Sequence, residues 1–335
     1  MSKFSLDVLQ RRVFPFATSQ DQDVILGAAF GEDVALTRVG DDIVASHVDP
    51  IVGAIGNIGW LAVHVACNDI AASGIPPRWI LLLVLVPHME DEELLEQIMN
   101  DAKRAADEIN VSIIGGHTGY STNLTRPLVA VTSLGTASGR TPVRTTGARV
   151  GDHVLVTRGV ALEGTAILAE DFADVALHLG LSSEELEEAS SIMGEVSVVK
   201  EALLLADNGA TAMHDVTRGG LMETLLEIAY LSDVGIEIET TRLPIRSIVK
   251  RFAEAFQFDP LRMISSGTLA VTIPPESTAV VEDLLTRANI EFAFVGTVTD
   301  GNGVRVFSNG TAIHHTEIRC EEDELARMWS LYPRN

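Results

Sequence analysis

The chain has 335 residues, which is the length of about two domains. Hydrophobic residues make up 46% and charged residues 21%, a globular composition that excludes a disordered chain. Lys and Arg number 24 against 47 Asp and Glu, which gives a formal charge of −23. So acidic a chain lacks the net basic face that binds nucleic acid or an anionic membrane, and we expect neither as a partner.

The two cysteines, Cys67 and Cys320, form no CxxC pair and no zinc-knuckle spacing. Two such cysteines exclude a disulfide framework, so we expect a reducing, cytoplasmic environment. The first residues carry no long apolar segment of the kind found in secretory signals. The longest apolar run, Trp79–Val86, is far shorter than the ~20 residues that cross a bilayer, and we interpret it as a buried strand.

The spacing of apolar residues predicts alternating strands and helices in the first half of the chain. Two helices are predicted, over 57–73 and 91–109, and acidic residues in the first turn of the second favour it through the helix dipole. Short apolar runs predict strands at 43–48, 79–86, 111–114 and 128–134. The order β-α-β-α-β-β predicts helices packed on a mixed sheet, an α/β (α+β) fold.

Residues 135–151 are rich in Gly, Ser, Thr, Pro and Arg and predict a connecting segment. We therefore expect an N-terminal domain over 1–148 and a C-terminal domain over 149–335. Strands of the second domain are predicted at 153–157, 235–239, 268–273 and 291–298. Helices are predicted at 164–170, 184–207, 219–232, 245–256 and 276–288. The second domain is therefore also expected to mix helices and strands.

Five segments place polar residues beside glycine or at the end of an apolar element. They are Gly31-Glu32-Asp33, Asp49-Pro50, Asn68-Asp69, Gly115-Gly116-His117-Thr118, and His214-Asp215 with Arg218-Gly219-Gly220. Taken singly, most have an ordinary explanation as turn residues or helix caps. Asp69 is harder to explain in this way, because apolar residues flank it and a buried carboxylate needs a partner.

Together these segments favour a site for Mg²⁺ and a polyphosphate, since carboxylate oxygens are ligands that Mg²⁺ prefers. Glycines let backbone N–H groups approach a phosphate, and the helix after Gly220 can point its positive end at an anion. The chain has neither a Walker motif nor GxGxxG, so the spacing by itself is only suggestive. Zinc held by His64, His117 and His214 is a weaker alternative, because no HxxxH or HExxH spacing supports it.

The same segments resemble the family that includes aminoimidazole ribonucleotide synthetase, formylglycinamidine ribonucleotide synthetase, thiamine-monophosphate kinase, selenophosphate synthetase and the hydrogenase maturation factor HypE. The resemblance to HypE is the strongest and extends from about residue 20 to about residue 300. It is carried by GEDVAL (31–36), HVDPIVG (47–53), residues 57–76 with CNDIAASG, GGHT (115–118), HDVTRGGLMETLLEIA (214–229), residues 235–243 and DPLRMISSGTLAVTIPP (259–275).

The resemblance implies a PurM-like fold of two domains. In such homodimers the N-terminal domains pair their mixed sheets into a barrel, and a C-terminal α+β domain closes over a long cleft. The implied cofactors are ATP and Mg²⁺. The implied reaction transfers the γ-phosphoryl group to an amide, carbonyl or phosphate oxygen of a small-molecule substrate.

The resemblance also assigns roles to residues of this chain. The carboxylates that hold Mg²⁺ and ATP are Asp33, Asp49, Asp69 and Asp215. Neighbouring nucleotide contacts are Gly31, Asn68, Gly115, Gly116, Thr118, Gly219 and Gly220. Catalytic roles are expected for Asp69, Asp215, Arg218 and His117. Phosphoryl transfer needs mainly positioning and charge neutralisation, and Arg218 is a candidate for the charge that develops on the transferred group.

The sequence departs from the family pattern at three places. Glu32 replaces one Asp of a usual pair. His117 replaces the Asp of GGDT, and a neutral imidazole is a poor Mg²⁺ ligand. HypE ends in a cysteine that receives a carbamoyl group, whereas this sequence ends Pro333-Arg334-Asn335 and its nearest thiol is Cys320.

We therefore expect a HypE-like, ATP-dependent enzyme that acts on an unidentified small substrate, with residues 159–165 (GVALEGT) as a candidate acceptor loop. One alternative is a hydrogenase maturation factor proper that uses Cys320 or an altered tail. A second is a nucleotide-binding protein without turnover, which His117 favours. A third is an interaction partner within a maturation assembly. We also expect that the chain binds a maturation partner protein.

Overall fold

The structure is a computed structural model that describes residues 4–52, 57–308, 310–319 and 323–332. Its helices are α1 (Leu6–Arg12), α2 (Ile58–Ala72), α3 (Glu92–Glu108), α4 (Leu162–Asp171), α5 (Ala173–His178), α6 (Ser183–Ser191), α7 (Val199–Ala206), α8 (Gly220–Ser232), α9 (Ser247–Phe256), α10 (Thr278–Arg287) and α11 (Glu324–Leu331). Its strands are β1 (Val24–Leu26), β2 (Ala35–Val39), β3 (Asp42–Val52), β4 (Pro77–Val86), β5 (Ser112–Tyr120), β6 (Leu128–Thr136), β7 (His153–Thr157), β8 (Ala212–Asp215), β9 (Gly235–Glu239), β10 (Leu269–Ile273), β11 (Phe292–Thr299), β12 (Gly303–Ser308) and β13 (Thr311–His315).

The chain divides into two compact units. The N-terminal unit comprises Ala17–Ala29 and Asp33–Pro142. The C-terminal unit comprises the described residues of 1–16 and of 143–335, together with the short segment Phe30–Glu32. The mixed α/β fold class expected from the sequence is confirmed.

The N-terminal unit is a six-stranded mixed sheet in the order β1-β2-β3-β6-β4-β5. Strands β4 and β5 run parallel, and the other neighbours run antiparallel. Helix α2 packs against the sheet and against α3, and all fifteen of its residues are buried. This helix is apolar around most of its circumference, as expected for a helix enclosed on every side.

Two predicted strands of this unit are wrong at their ends. The strand predicted over 43–48 continues through Pro50 to Val52 as β3. Strand β2 pairs only with Asp42–Ser46 of the described residues, so Pro50 lies where that edge of β3 is open and a missing N–H is tolerated. The strand predicted over 111–114 continues to Tyr120, because Gly115 to Tyr120 pair with β4.

The C-terminal unit is built on a seven-stranded sheet in the order β13-β12-β9-β11-β7-β10-β8. Neighbouring strands are antiparallel except β12 and β9. The helix predicted over 184–207 is wrong as a single element. Helix α6 begins at a capping box formed by Ser182 and Glu185, and a 3₁₀ turn that contains Gly194 separates it from α7.

The sequence interpretation missed strands β1, β2, β8, β12 and β13 and helices α1, α5 and α11, which are short or lie near the ends of the chain. Within the described residues, no helix has both the length and the apolar character that crossing a membrane requires. Cys320, Gly53 and the terminal Pro333-Arg334-Asn335 lie outside the described residues.

The close packing of α2 on α3 is testable at Gly59. A Cβ atom built on Gly59 would lie 2.1 Å from the carbonyl oxygen of Ile98 in α3. We expect Gly59→Ala to lower the free energy of unfolding by about 2 kcal/mol or more, because the two helices must separate. Urea unfolding measures this change. Gly27→Ala, whose Cβ meets only an ordinary contact at 3.6 Å, is the control, and equal stability of the two variants would contradict the packing argument.

Candidate functional site

In the N-terminal unit, predicted site residues converge on the face of the sheet that α2 covers. Asn68 and Asp69 lie in the last turn of α2 and are 0% and 8% exposed. On β3, His47 and Asp49 share a face with the fully buried Ala45, because side chains alternate along a strand. Asp33 precedes β2, the neighbour of β3. The structure therefore brings carboxylates together from three places: the last turn of α2, the segment before β2 and the interior of β3.

His47 joins two of these acidic residues and was not singled out from the sequence. Its Nδ1 hydrogen-bonds the main-chain carbonyl of Asp33, and its Nε2 lies 3.4 Å from Asp69 Oδ2. The signal was present in the motif HVDP, where His47 precedes Asp49 by two residues and so must share its face of the strand.

The glycine-rich segment Gly115-Gly116-His117-Thr118 lies elsewhere in this unit than predicted. It was expected to follow a strand, and this is wrong: all four residues lie inside β5, the edge strand of the sheet, and are exposed. A Cβ on Gly116 would lie 1.9 Å from the carbonyl oxygen of Leu82, so glycine permits the close approach of β5 to β4. In the described part of the chain, His117 forms no hydrogen bond or ion pair.

In the C-terminal unit, Asp215 ends strand β8 and is fully buried. Within the part of the chain that the structure describes, neither of its carboxylate oxygens has a hydrogen-bond partner. The neighbouring imidazole of His214 makes its hydrogen bonds with other groups than this carboxylate. Its Nδ1 donates to the main-chain carbonyl of Asp215 (2.8 Å), and its Nε2 lies 3.0 Å from Glu227 Oε2. The shortest approach of His214 Nδ1 to the Asp215 carboxylate is 3.7 Å.

The carboxylate of Asp215 fits a hard cation. Burying a charged group without a hydrogen bond is costly, and proteins usually relieve that cost with an ion pair or a metal. Carboxylate oxygens are the donors that Mg²⁺ prefers, so the donor chemistry at Asp215 agrees with the expected Mg²⁺. Of the histidines in the zinc alternative, His64 already has a partner, since its Nε2 lies 3.0 Å from Glu108 Oε2, and burial lowers the pKa of His64.

Helix α8 begins in a tight turn that only glycine fits easily. Gly219 and Gly220 have positive φ angles of 81° and 65°, and a Cβ on Gly220 would lie 2.5 Å from the carbonyl oxygen of Leu261. The N–H of Gly219 donates to Asp323 Oδ2 at 3.1 Å, so a carboxylate already lies at the positive end of the helix. Arg218 makes no hydrogen bond or ion pair with the residues that the structure describes.

The segment Phe30–Glu32 packs on α8 within the same unit. Gly31 has a φ of 67°, and a Cβ there would lie 2.7 Å from Leu231 Cδ1. Glu32, which replaces the family's usual Asp, accepts two hydrogen bonds from Arg144 at 2.6 and 3.1 Å. The longer side chain is therefore engaged in an ion pair with a residue of its own unit.

A cavity of about 680 Å³ in the C-terminal unit was not foreseen from the sequence. Its lining is Arg158, Glu195, Lys200, Arg246, Thr286, Ala288, Asn289, Ile290, Glu291 and Phe292. Arg246 binds Glu195 with two hydrogen bonds (2.7 and 2.8 Å), which lowers the pKa of Glu195 and raises the pKa of Arg246. Arg158 binds the fully buried Glu201 in the same way. Arg158 and Arg246 are therefore neutralised by the protein itself.

The chain matches the two domain models of one protein family. The model described as AIR synthase related protein, N-terminal domain, matches residues 31–137, and the corresponding C-terminal domain model matches residues 149–309. Because the two matches cover most of the chain, the protein belongs to the AIR synthase related family. The family predicted from the sequence motifs is confirmed.

Among curated proteins, carbamoyl dehydratase HypE of Bradyrhizobium diazoefficiens is 30% identical over 242 residues, which are 70% of this chain and 66% of that protein. The solved structure of hydrogenase maturation protein HypE in complex with ATP has a TM-score of 0.70 at 22% identity, covering 83% of this chain and 86% of that one. AaThiL complexed with AMPPCP and TMP has a TM-score of 0.70 at 20% identity, covering 85% and 90%. These structural likenesses establish a shared fold.

The carboxylate of Asp215, which accepts no hydrogen bond within the described residues, leads to a test that needs no nucleotide. We expect Asp215→Asn to raise the free energy of unfolding of the metal-free protein by about 1 kcal/mol, because it replaces a buried carboxylate that no hydrogen bond from the described residues stabilises. Urea unfolding in the presence of EDTA measures the change, and the exposed Asp300→Asn is the matched control. A variant less stable than the wild type would contradict this description of Asp215.

Proposed function

We propose that this protein binds ATP with Mg²⁺ and transfers the γ-phosphoryl group to an amide, carbonyl or similar oxygen of a small substrate. Membership of the AIR synthase related family supports the proposal, as do relatives whose solved structures contain ATP or AMPPCP. The observation that carries it is the fully buried carboxylate of Asp215, which lacks a hydrogen-bond partner among the described residues and is the second residue of the motif HDVTRGG.

The proposal assigns Mg²⁺ binding to carboxylates of each unit: Asp33, Asp49 and Asp69 in one and Asp215 in the other. When bound, Mg²⁺ neutralises phosphate charge and polarises the oxygen atoms of the transferred group. This neutralisation is needed in a chain with a formal charge of −23, whose acidic residues would otherwise repel a polyphosphate.

Arg218 is assigned the role of stabilising the negative charge that develops on the transferred group. Arg218 is half-buried and has no hydrogen-bond or ion-pair partner in the described ranges, so its five N–H donors are available to an anion. The assigned nucleotide contacts Gly31, Gly219 and Gly220 have positive φ angles, which hold the main chain in turns that bring backbone close to a ligand. Asn68, Gly115, Gly116, Thr118 and His117 keep the roles that the family resemblance implies.

A second candidate is the carbamoyl dehydratase activity of the HypE relatives. The 30% identity with the carbamoyl dehydratase HypE of Bradyrhizobium diazoefficiens favours it. This activity would need a thiol acceptor, and Cys320 is the candidate, since burial holds the pKa of the other cysteine, Cys67, far above its usual range. A partner protein would then be expected, since one structural relative is a HypE-HypF complex.

We also propose that the chain forms a homodimer through the sheet of the N-terminal unit. Strand β5 is an edge strand, and the apolar residues Ile114 and Tyr120 on it are 55% and 56% exposed. Val48 on β3 is 61% exposed on the face opposite α2. An open edge beside exposed apolar side chains is a surface that a second copy would cover.

Isothermal titration of ATP tests the nucleotide site. We expect the wild type to bind ATP far more tightly with Mg²⁺ than without it. Asp69→Asn should weaken binding in the presence of Mg²⁺ by about tenfold or more, a loss of about 1.4 kcal/mol, because one anionic ligand is removed. Exposed Asp41→Asn in the same unit should bind as the wild type does.

Absence of Mg²⁺-dependent binding to the wild type would overturn the proposal. Binding without phosphate release, with any of a panel of amide, carbonyl and phosphate acceptors, would instead favour a nucleotide-binding protein without turnover. Thiol modification of Cys320 that depends on ATP and carbamoyl donor would favour the carbamoyl dehydratase.

Light scattering tests the dimer. We expect a particle of twice the chain mass of 36.0 kDa, and we expect Tyr120→Glu to shift it to the monomer, because a charge in an apolar interface is costly to bury. Val280→Glu, which changes an exposed residue of the C-terminal unit, should remain dimeric. A monomeric wild type would contradict the proposal.

A further inference from the structure

The imidazole of His47 contacts two acidic residues of the N-terminal unit through its two ring nitrogens. Nδ1 hydrogen-bonds the main-chain carbonyl of Asp33, and Nε2 lies 3.4 Å from Asp69 Oδ2. Because a carbonyl oxygen can only accept, Nδ1 is the nitrogen that donates in the first contact, and Nε2 forms an ion pair with the Asp69 carboxylate when it too carries a proton. One side chain on β3 therefore joins the segment before β2 to the last turn of α2.

The strand pairing explains why a side chain is needed at this point. The ladder between β2 and β3 ends with Ala35 opposite Ser46. Asp33 lies two residues beyond that pair, and His47 follows Ser46 on β3. The side chain of His47 thus continues the connection between the two strands past the end of their main-chain ladder.

The surroundings restrict how Asp69 can move. Its side chain is 11% exposed and that of His47 is 22% exposed, and Asp69 lies on a helix whose residues are all buried. A fixed polar group that faces a buried carboxylate limits the orientations open to it, and outer-shell groups of this kind tune metal affinity in proteins. His47 is itself fixed, because its other nitrogen is bound to the main chain.

We propose that His47 is a positioning residue, which holds the carboxylate of Asp69 in register with the main chain of Asp33 for cation binding. This inference rests on the proposed function, since it concerns the same Mg²⁺ and ATP site. His47 acts through Asp69 and is assigned no contact with the nucleotide.

Two isosteric variants separate the two contacts. The amide nitrogen of an asparagine side chain can replace Nδ1, so His47→Asn keeps the bond to the Asp33 carbonyl and loses the contact with Asp69. The amide nitrogen of a glutamine side chain can replace Nε2, so His47→Gln keeps the contact with Asp69. A merely structural histidine would be replaced by asparagine without any effect on the affinity for Mg²⁺.

The experiment measures the Mg²⁺ concentration that half-saturates nucleotide binding at a fixed ATP concentration. We expect His47→Asn to raise it by about tenfold, the usual loss for an outer-shell group, and His47→Gln to remain within about threefold of the wild type. Thermal unfolding of the nucleotide-free protein should give a Tm for His47→Asn within about 4 °C of the wild type, the shift that a change of one weak contact produces. Exposed His88→Asn is the matched control and should behave as the wild type.

A double-mutant cycle shows whether His47 acts through Asp69. If it does, adding His47→Asn to Asp69→Asn causes no further loss of Mg²⁺ affinity, because the group that His47 orients is already changed. Fully additive losses would overturn the proposal. So would wild-type Mg²⁺ dependence in His47→Asn, or equal losses in His47→Asn and His47→Gln.

The outcomes also separate this inference from the proposed function. A wild type that binds no ATP with Mg²⁺ overturns the proposed function, and the role of His47 is overturned with it. A wild type that binds ATP normally, together with an unaffected His47→Asn, overturns the role of His47 alone.

Discussion

The burial of α2 along its whole length is the constraint on which the acidic group of the N-terminal unit depends. The sheet and α3 exclude water from Asn68 and Asp69, and the cost of an isolated carboxylate in such surroundings is several kcal/mol. Side chains that face Asp69 must therefore be polar and well placed. His47 on β3 meets this need, and its second nitrogen is tied to the main chain before β2.

The same cost recurs in the C-terminal unit at Asp215, where it is not relieved by hydrogen bonds from the described residues. Elsewhere in this unit, charged side chains are paired with charges of opposite sign, as in the Arg158–Glu201 and Arg246–Glu195 contacts. A buried carboxylate that accepts no hydrogen bond from the described residues lowers the stability of the protein, and such destabilising groups persist where a functional site needs them. This contrast is the physical reason for assigning Asp215 to a cation.

The sequence predicted the long, strongly periodic elements well and the short ones poorly. Helices α2 and α3 and strand β4 were found within about two residues of their ends, because their apolar patterns are long. The strand predicted over 111–114 ends before Gly115, since glycine often ends a strand, yet pairing with β4 continues β5 through Gly115 to Tyr120. Pro50 follows the predicted end of the strand over 43–48, and only the partner strands reveal that β3 continues through Pro50 along an open edge. Local chemistry cannot indicate which neighbour completes a backbone ladder.

By itself the sequence determined the family, the mixed α/β class and the acidic motifs, because these depend on residue types at short, fixed spacings. The tertiary structure decided what each motif touches: the contact of His47 with Asp69, the engagement of Glu32 by Arg144, and the carboxylate of Asp323 at the start of α8. These contacts join residues up to 112 positions apart, whose proximity follows from sheet order and helix packing. A side chain becomes buried only once those distant segments have packed together, and its burial sets the free-energy cost of its charge.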